Sequence, residues 1–255
     1  MRRVTRSQLD ATTLRKLHER QSRADRMKAQ DELDVTSDWE AARKTKPLAT
    51  VLSNLKAMAG SRERCMYCVD SHGTDIEHFW PKSVYPEKMY RWQNHLLSCT
   101  ACGRIKGIQF PLWNGAPSLI DPTAEEPWQQ LDFDPITGNL TARYNPDTGA
   151  WSERGKATVE TLRLDRREAL ARGHLRTFHR LCNRVETFLV DSTESVTILL
   201  DLLREDDDHG LLGWCVYGDG GSVEPFCRLR QHHPDVWAAL DMALQHASPP
   251  ETSIR

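Results

Sequence analysis

Cys65-Met66-Tyr67-Cys68, then Asp75-Ile76-Glu77-His78-Phe79-Trp80-Pro81-Lys82-Ser83, then Cys99-Thr100-Ala101-Cys102 are the runs whose reading decides the fold. The cysteines form C-x2-C-x30-C-x2-C, two chelating turns that together can supply four thiolates to one tetrahedral Zn2+. A loop-rich segment of this size has little core of its own, and a metal joining its two ends contributes folding free energy on the order of 10 kcal/mol. Chance pairing of the cysteines is one alternative. Redox chemistry is another, but it needs one such motif at a strand-to-helix junction, not two flanking a polar hairpin. Cys65, Cys68, Cys99 and Cys102 are therefore expected to hold a closed, structural zinc.

Between the knuckles Glu77 and His78 are adjacent. A carboxylate is a hard oxygen ligand for Mg2+, and an imidazole can deprotonate water near neutral pH. Neighbouring side chains on a strand point to opposite sides, but at the bent end of a hairpin both can approach one phosphate. An isolated Glu-His pair is more often surface decoration. Gly73, Pro81 and Pro86 divide residues 65–107 into a hairpin, a loop and a short helix.

Outward from this block, the first sixty residues read as helical and end on Leu48, Val51, Leu52, Leu55 and Met58 at helical spacing, with Gly60 as a stop. Residues 1–30 carry nine Lys or Arg against three acids. That suits local attraction of phosphate or a solvated amphipathic helix equally. Residues 108–154 carry turn signals at Asn114-Gly115, Thr137-Gly138-Asn139 and Asp147-Thr148-Gly149 and read as a β-meander. Asp165 and Glu168 fit a capping box opening a helix with Leu175, Phe178, Cys182, Val185 and Leu189 on one face; Val196 to Leu203 give a second. The Gly-rich run at 210–221 matches no phosphate-binding loop, and a helix is expected near Asp235. Asp206-Asp207-Asp208-His209 and His232-His233-Pro234 read as solvated turns, and Cys182, Cys215 and Cys227 as buried thiols.

A composition with 39% apolar and 27% charged residues suits a folded globular chain. The net charge of −2 excludes a global basic field of the kind that advertises a nucleic-acid binder. No run approaches the ~20 apolar residues of a membrane span, and the N-terminus lacks a signal-peptide core, so a cytoplasmic location is expected.

Cys65-x-x-Cys68, I-E-H-F-W-P-K-S, W-Q-N-H-L-L-S-C-T-A-C and Arg104-Ile105-Lys106-Gly107 resemble the zinc-containing HNH endonucleases, most clearly over residues 61–110. Ile76 to Phe79 with Pro81-Lys82-Ser83, Trp92 and Asn94, Phe110-Pro111-Leu112, Ile120-Asp121-Pro122 and Thr158 to Arg167 resemble more narrowly the PtuB-like nucleases of Septu and retron anti-phage systems. The resemblance implies His78 as general base, Glu77 as ligand of a catalytic Mg2+ or Mn2+, and Asn94 as the residue that fixes the loop. Cys65, Cys68, Cys99 and Cys102 would hold zinc. One position departs: Gly103 stands where the family usually has an Asn or His metal ligand. His95 is a substitute ligand that nothing in the sequence positions.

The implied fold is α+β: a small ββα-metal core with a zinc knuckle, wrapped by N- and C-terminal helices. Residues 1–60 would form a helical arm, 61–110 the nuclease core, and 111–255 a β-meander and helical extension. Lys82, Arg91, Arg104 and Lys106 are candidate phosphate contacts, Lys106 foremost. Trp92 reads as core and not as a base-stacking platform. The expected function is hydrolysis of phosphodiester bonds, in DNA ahead of RNA, alongside a PtuA-like ATPase. The chain itself has no G-x-x-x-x-G-K-[ST] segment. The competing expectation is a zinc-dependent nucleic-acid-binding or assembly module whose hydrolytic site has decayed.

Overall fold

The computed structural model describes residues 1–191 and 195–245. Residues 246–255, the end of the expected C-terminal extension, lie outside the described residues. The chain combines helices with short antiparallel strand pairs, and it divides into two compact units, each built around its own core.

One unit comprises residues 4–66 and 71–111. Helix α1 (Ala11–Ala29) is capped by Asp10, whose carboxylate accepts from the Thr13 amide at 2.9 Å. It buries the narrow stripe Thr13, Leu17, Gln21 and Ala24. Helix α2 (Val35–Ala42) is capped by Asp34 and buries Trp39 and Ala42. Helix α3 (Lys46–Met58) has a proline in its first turn and buries Leu48, Val51, Leu55 and Met58, the stripe expected from spacing. Residues 1–10, expected to be helical, precede the first helix.

The segment 65–107 then forms a hairpin and a helix. Strand β1 (Asp75–His78) pairs antiparallel with β2 (His95–Ser98), placing Glu77 opposite Leu96 and His78 opposite His95. The strands are joined by a loop over 79–94, and helix α4 (Thr100–Lys106) follows β2 directly. The Cys99 sulfur caps α4, accepting from the Cys102 amide at 3.4 Å.

The other unit comprises residues 1–3, 67–70 and the described part of 112–248. The expected β-meander is replaced by separate two-stranded hairpins: β3 (Leu112–Trp113) with β4 (Ala116–Pro117), β5 (Leu131–Phe133) with β6 (Leu140–Ala142), and β7 (Tyr144–Asn145) with β8 (Ala150–Trp151). Each pair closes through its own turn, and the strands are too short to reach a further neighbour. Gly138 shows how tightly one turn is packed: its φ is +79°, and a Cβ there would lie 2.2 Å from the Ala171 carbonyl oxygen.

Helices α5 (Glu153–Leu162), α6 (Glu168–Val190), α7 (Val196–Asp206), α8 (Leu211–Tyr217), α9 (Phe226–His232) and α10 (Pro234–Gln245) complete this unit. Phe133, Phe178 and Trp214 meet at centroid distances of 5.0 to 5.8 Å in its core. The expected capping box at α6 does not form: Arg167 precedes the helix without a side-chain cap bond, and Asp165 pairs with Arg166. The buried stripe of α6 runs through His174, Thr177, Phe178, Leu181, Val185 and Phe188, displacing Leu175, Cys182 and Leu189 to its margins. Cys215 is buried, whereas Cys182 and Cys227 are partly exposed. Among the described residues, no helix is long and apolar enough to cross a membrane.

Candidate active site and metal centre

Four buried cysteines converge. The sulfurs of Cys65, Cys68, Cys99 and Cys102 all lie within 4.8 Å of one another. An all-thiol set at that spacing fits a tetrahedral metal such as zinc, which binds thiolates at ~2.3 Å. Among the described residues, this is the group of three or more Cys, His, Asp or Glu side chains close enough to share an ion.

His78 ends β1 and is only 3% exposed. Its Nε2 lies 3.0 Å from the Met89 carbonyl oxygen, and the Nε2 of His95 lies 2.9 Å from the same oxygen. A carbonyl only accepts, so both rings carry their proton on Nε2 and present a lone pair at Nδ1. The Nδ1 of His95 is sealed without a partner. Trp39 of α2 packs edge-on against the His78 ring at 4.3 Å. Burial, with His95 and Lys82 nearby, holds the His78 imidazole well below its ordinary range, and burial pushes His95 down to about 4.

Asn94 clamps the 79–94 loop. Its Oδ1 accepts from the Trp80 amide at 2.7 Å, and its Nδ2 donates to the Trp80 and Lys88 carbonyls, each at 3.0 Å. It thereby fixes the backbone beside Met89, whose carbonyl holds His78. Gln21 of α1 holds the same loop, donating to the Pro86 carbonyl and accepting from the Tyr90 amide. Arg6 reaches the Trp92 and His95 carbonyls. Trp92 is 5% exposed, a core residue as expected.

Glu77 lies on the other side of β1. Its Oε1 accepts from the Lys106 ammonium at 2.8 Å, and the same ammonium donates to the His78 carbonyl at 2.8 Å. Burial pushes the Glu77 carboxyl up, against the pull of Lys106. Gly103 also faces Glu77, since a Cβ built there would lie 3.3 Å from Oε2. The expectation that Glu77 and His78 converge at a bent strand end is not met: strand alternation sends the carboxylate toward α4 and the imidazole toward Trp39 and Met89. A divalent cation at Oε2 of Glu77 would sit beside the Lys106 ammonium on Oε1 and take its other ligands from water and substrate. The side chains present do not fit it.

The candidate cations separate clearly. Lys106 is fully buried and is not positioned as a surface phosphate contact. Arg104 and Arg91 are exposed. Lys82 is half-buried, with its ammonium 5.8 Å from the centre of the Trp39 ring and close enough to bias both Glu77 and His78. Burial pushes Lys82 down from its ordinary value.

Two contributors to the site escaped sequence reasoning. Trp39 carried a weak signal, a single large aromatic in the polar run of α2. The Met89 carbonyl carried none, because backbone groups have no sequence signature. His209, expected in a solvated turn, is buried, with Nδ1 2.8 Å from the Thr177 hydroxyl and Nε2 3.2 Å from Asp70. Asp207 beside it accepts from the Leu211 and Leu212 amides at the start of α8.

No protein-family model matches the chain. A stretch of 115 residues, 43% of the chain, is 29% identical to Septu protein PtuB of Bacillus thuringiensis and covers 40% of that protein. The chain thus spans about two fifths of the length of the curated relative it matches, a Septu-like relationship over part of its length.

Proposed function

We propose that the chain is a nuclease of the HNH type, with β1, β2 and α4 as its ββα core, acting in a Septu-like anti-phage system beside an ATPase partner. The observation that carries this reading is His78, whose imidazole is anchored through Nε2 to the Met89 carbonyl, leaving Nδ1 as its remaining lone pair. The partial similarity to Septu protein PtuB supports the defence setting.

In this reading a water molecule gives its proton to Nδ1 of His78 as its oxygen attacks phosphorus and the bond to the leaving sugar oxygen breaks. Met89 keeps the imidazole in the required tautomer, and Asn94 keeps Met89 in place. The Lys82 ammonium binds the phosphate oxygens and offsets their developing charge. Cys65, Cys68, Cys99 and Cys102 would hold a zinc whose contribution is fold stability.

A second reading, a zinc-dependent binding or assembly module with a decayed site, is favoured by Gly103, which offers Glu77 no companion ligand. Purified protein, alone and with its ATPase partner, incubated with labelled DNA and RNA separates the two. The nuclease reading expects cleavage that His78→Ala abolishes. Affinity without cleavage, unchanged by His78→Ala, supports the module.

A further inference from the structure

Lys106 has no exposed surface. A lysine gives up its hydration when buried and persists only where acceptors replace the lost water. Here those acceptors are the Glu77 carboxylate and the His78 carbonyl, each at 2.8 Å. Lys106 lies one helical turn beyond Gly103 on α4, so both positions share the helix face turned to Glu77. One of them presents an ammonium and the other presents no side chain. Ser98, whose Oγ would lie 3.7 Å from a Cβ at Gly103, donates its hydroxyl to the Cys99 carbonyl. His95 is committed to Met89.

We propose that the Lys106 ammonium, seated between the Glu77 carboxylate and the His78 carbonyl, takes the place of a divalent cation at this site, so that Glu77 holds a lysine and not a metal. Carboxylate oxygens attract both kinds of cation, but a Mg2+ or Mn2+ within bonding distance of Glu77 would face the fixed positive charge of the Lys106 ammonium, 2.8 Å from Oε1. The consequence for hydrolysis, which rests on the nuclease reading, is that the positive charge offered to phosphate comes from Lys82, since the Lys106 charge is balanced by Glu77. The consequence for metal binding holds whether or not the chain cleaves anything.

The test is a Mn2+ titration followed by electron paramagnetic resonance, on the zinc-loaded full chain and on Glu77→Gln, Lys106→Met and the double variant. Parent and Glu77→Gln are expected to give the same isotherm, while Lys106→Met gains a Glu77-dependent site at least about tenfold tighter. The double variant should lose that site. A parent that binds one Mn2+ and loses it on Glu77→Gln overturns the proposal, as does a folded Lys106→Met that gains nothing. Should Lys106→Met fail to fold, the comparison of parent with Glu77→Gln decides alone.

Activity gives a separate arm. Cleavage by the zinc-loaded parent in metal-depleted buffer is expected to lie within about tenfold of that with added Mg2+. Cleavage that appears only with Mg2+ and is lost in Glu77→Gln overturns the lysine substitution and leaves the nuclease reading intact. Absence of cleavage in every condition counts against the nuclease reading, with the Mn2+ titration still deciding the role of Lys106.

Discussion

His78 and His95 face each other across the hairpin and donate from their Nε2 atoms to one acceptor, the Met89 carbonyl oxygen, at 3.0 and 2.9 Å. Their ring centres lie 5.2 Å apart. One backbone oxygen therefore sets both tautomers, and neither ring can gain a proton without placing positive charge in a buried, cation-rich surrounding.

The pH dependence of stability follows. His95 is pushed down to about 4 and His174 to about 3, both by burial, whereas the unfolded chain titrates near ~6.5. Below that value the unfolded state takes up protons that the folded state refuses. Stability should be full above pH ~6.5 and fall as pH drops toward 4, His95 alone costing on the order of 3 kcal/mol. Urea titrations across this range check it, and His95→Asn should flatten the slope.

On the proposed nuclease reading, the same chemistry sets the acid limb of cleavage. Because burial holds His78 well below its ordinary value, it stays a free base through mildly acidic solution. The rate should remain level below pH 6.5, the ordinary histidine value, as measured by rate-against-pH profiles on the zinc-loaded protein. A rate that halves at pH 6.5 would mean an unperturbed histidine.

Asn94→Ala removes three hydrogen bonds that tie the two ends of the 79–94 loop. It should cost roughly 2 to 4 kcal/mol of stability. It should also slow cleavage with zinc content unchanged, since Met89 then no longer holds His78 firmly. Chemical denaturation, zinc analysis and cleavage rates on one preparation separate these effects.

Much of the hairpin and helix was legible because their signals are local. The paired cysteines mark the chelating turns and Gly73 and the prolines mark the breaks, while the loop-tying role of Asn94 came only from the family resemblance. The surroundings of Lys106 were not legible. Lysines are mostly solvated, so its sequence reading was a phosphate contact. Its burial depends on Glu77, 29 positions away, a pairing that only the folded hairpin creates. The direction of Glu77 depended likewise on strand alternation running to the last residue of β1 instead of bending. The turns of 112–151 were legible and each closes its own hairpin, but that the hairpins stay separate and do not join into one meander was not.

Zinc removal tests the cysteine cluster. The protein should bind one zinc per four thiolates of Cys65, Cys68, Cys99 and Cys102, and Cys99→Ser should abolish both zinc retention and the folded hairpin, a loss on the order of 10 kcal/mol. Metal analysis with circular dichroism checks this, and a metal-free protein with an unchanged melting temperature would exclude a structural zinc.

Gly103→Asn adds a side chain beside Glu77 without removing Lys106. It should change cleavage by less than about tenfold, because the ammonium still occupies the carboxylate. A large gain would instead indicate a lost metal ligand.

The most direct measurement is cleavage of labelled DNA and RNA by the zinc-loaded protein with the proposed ATPase partner, parent against His78→Ala. Cleavage by the parent and a loss of about 10²- to 10⁴-fold in His78→Ala are expected, with zinc content and the folded state retained. Equal cleavage by the two proteins, or none by either while both bind nucleic acid, would contradict the nuclease reading.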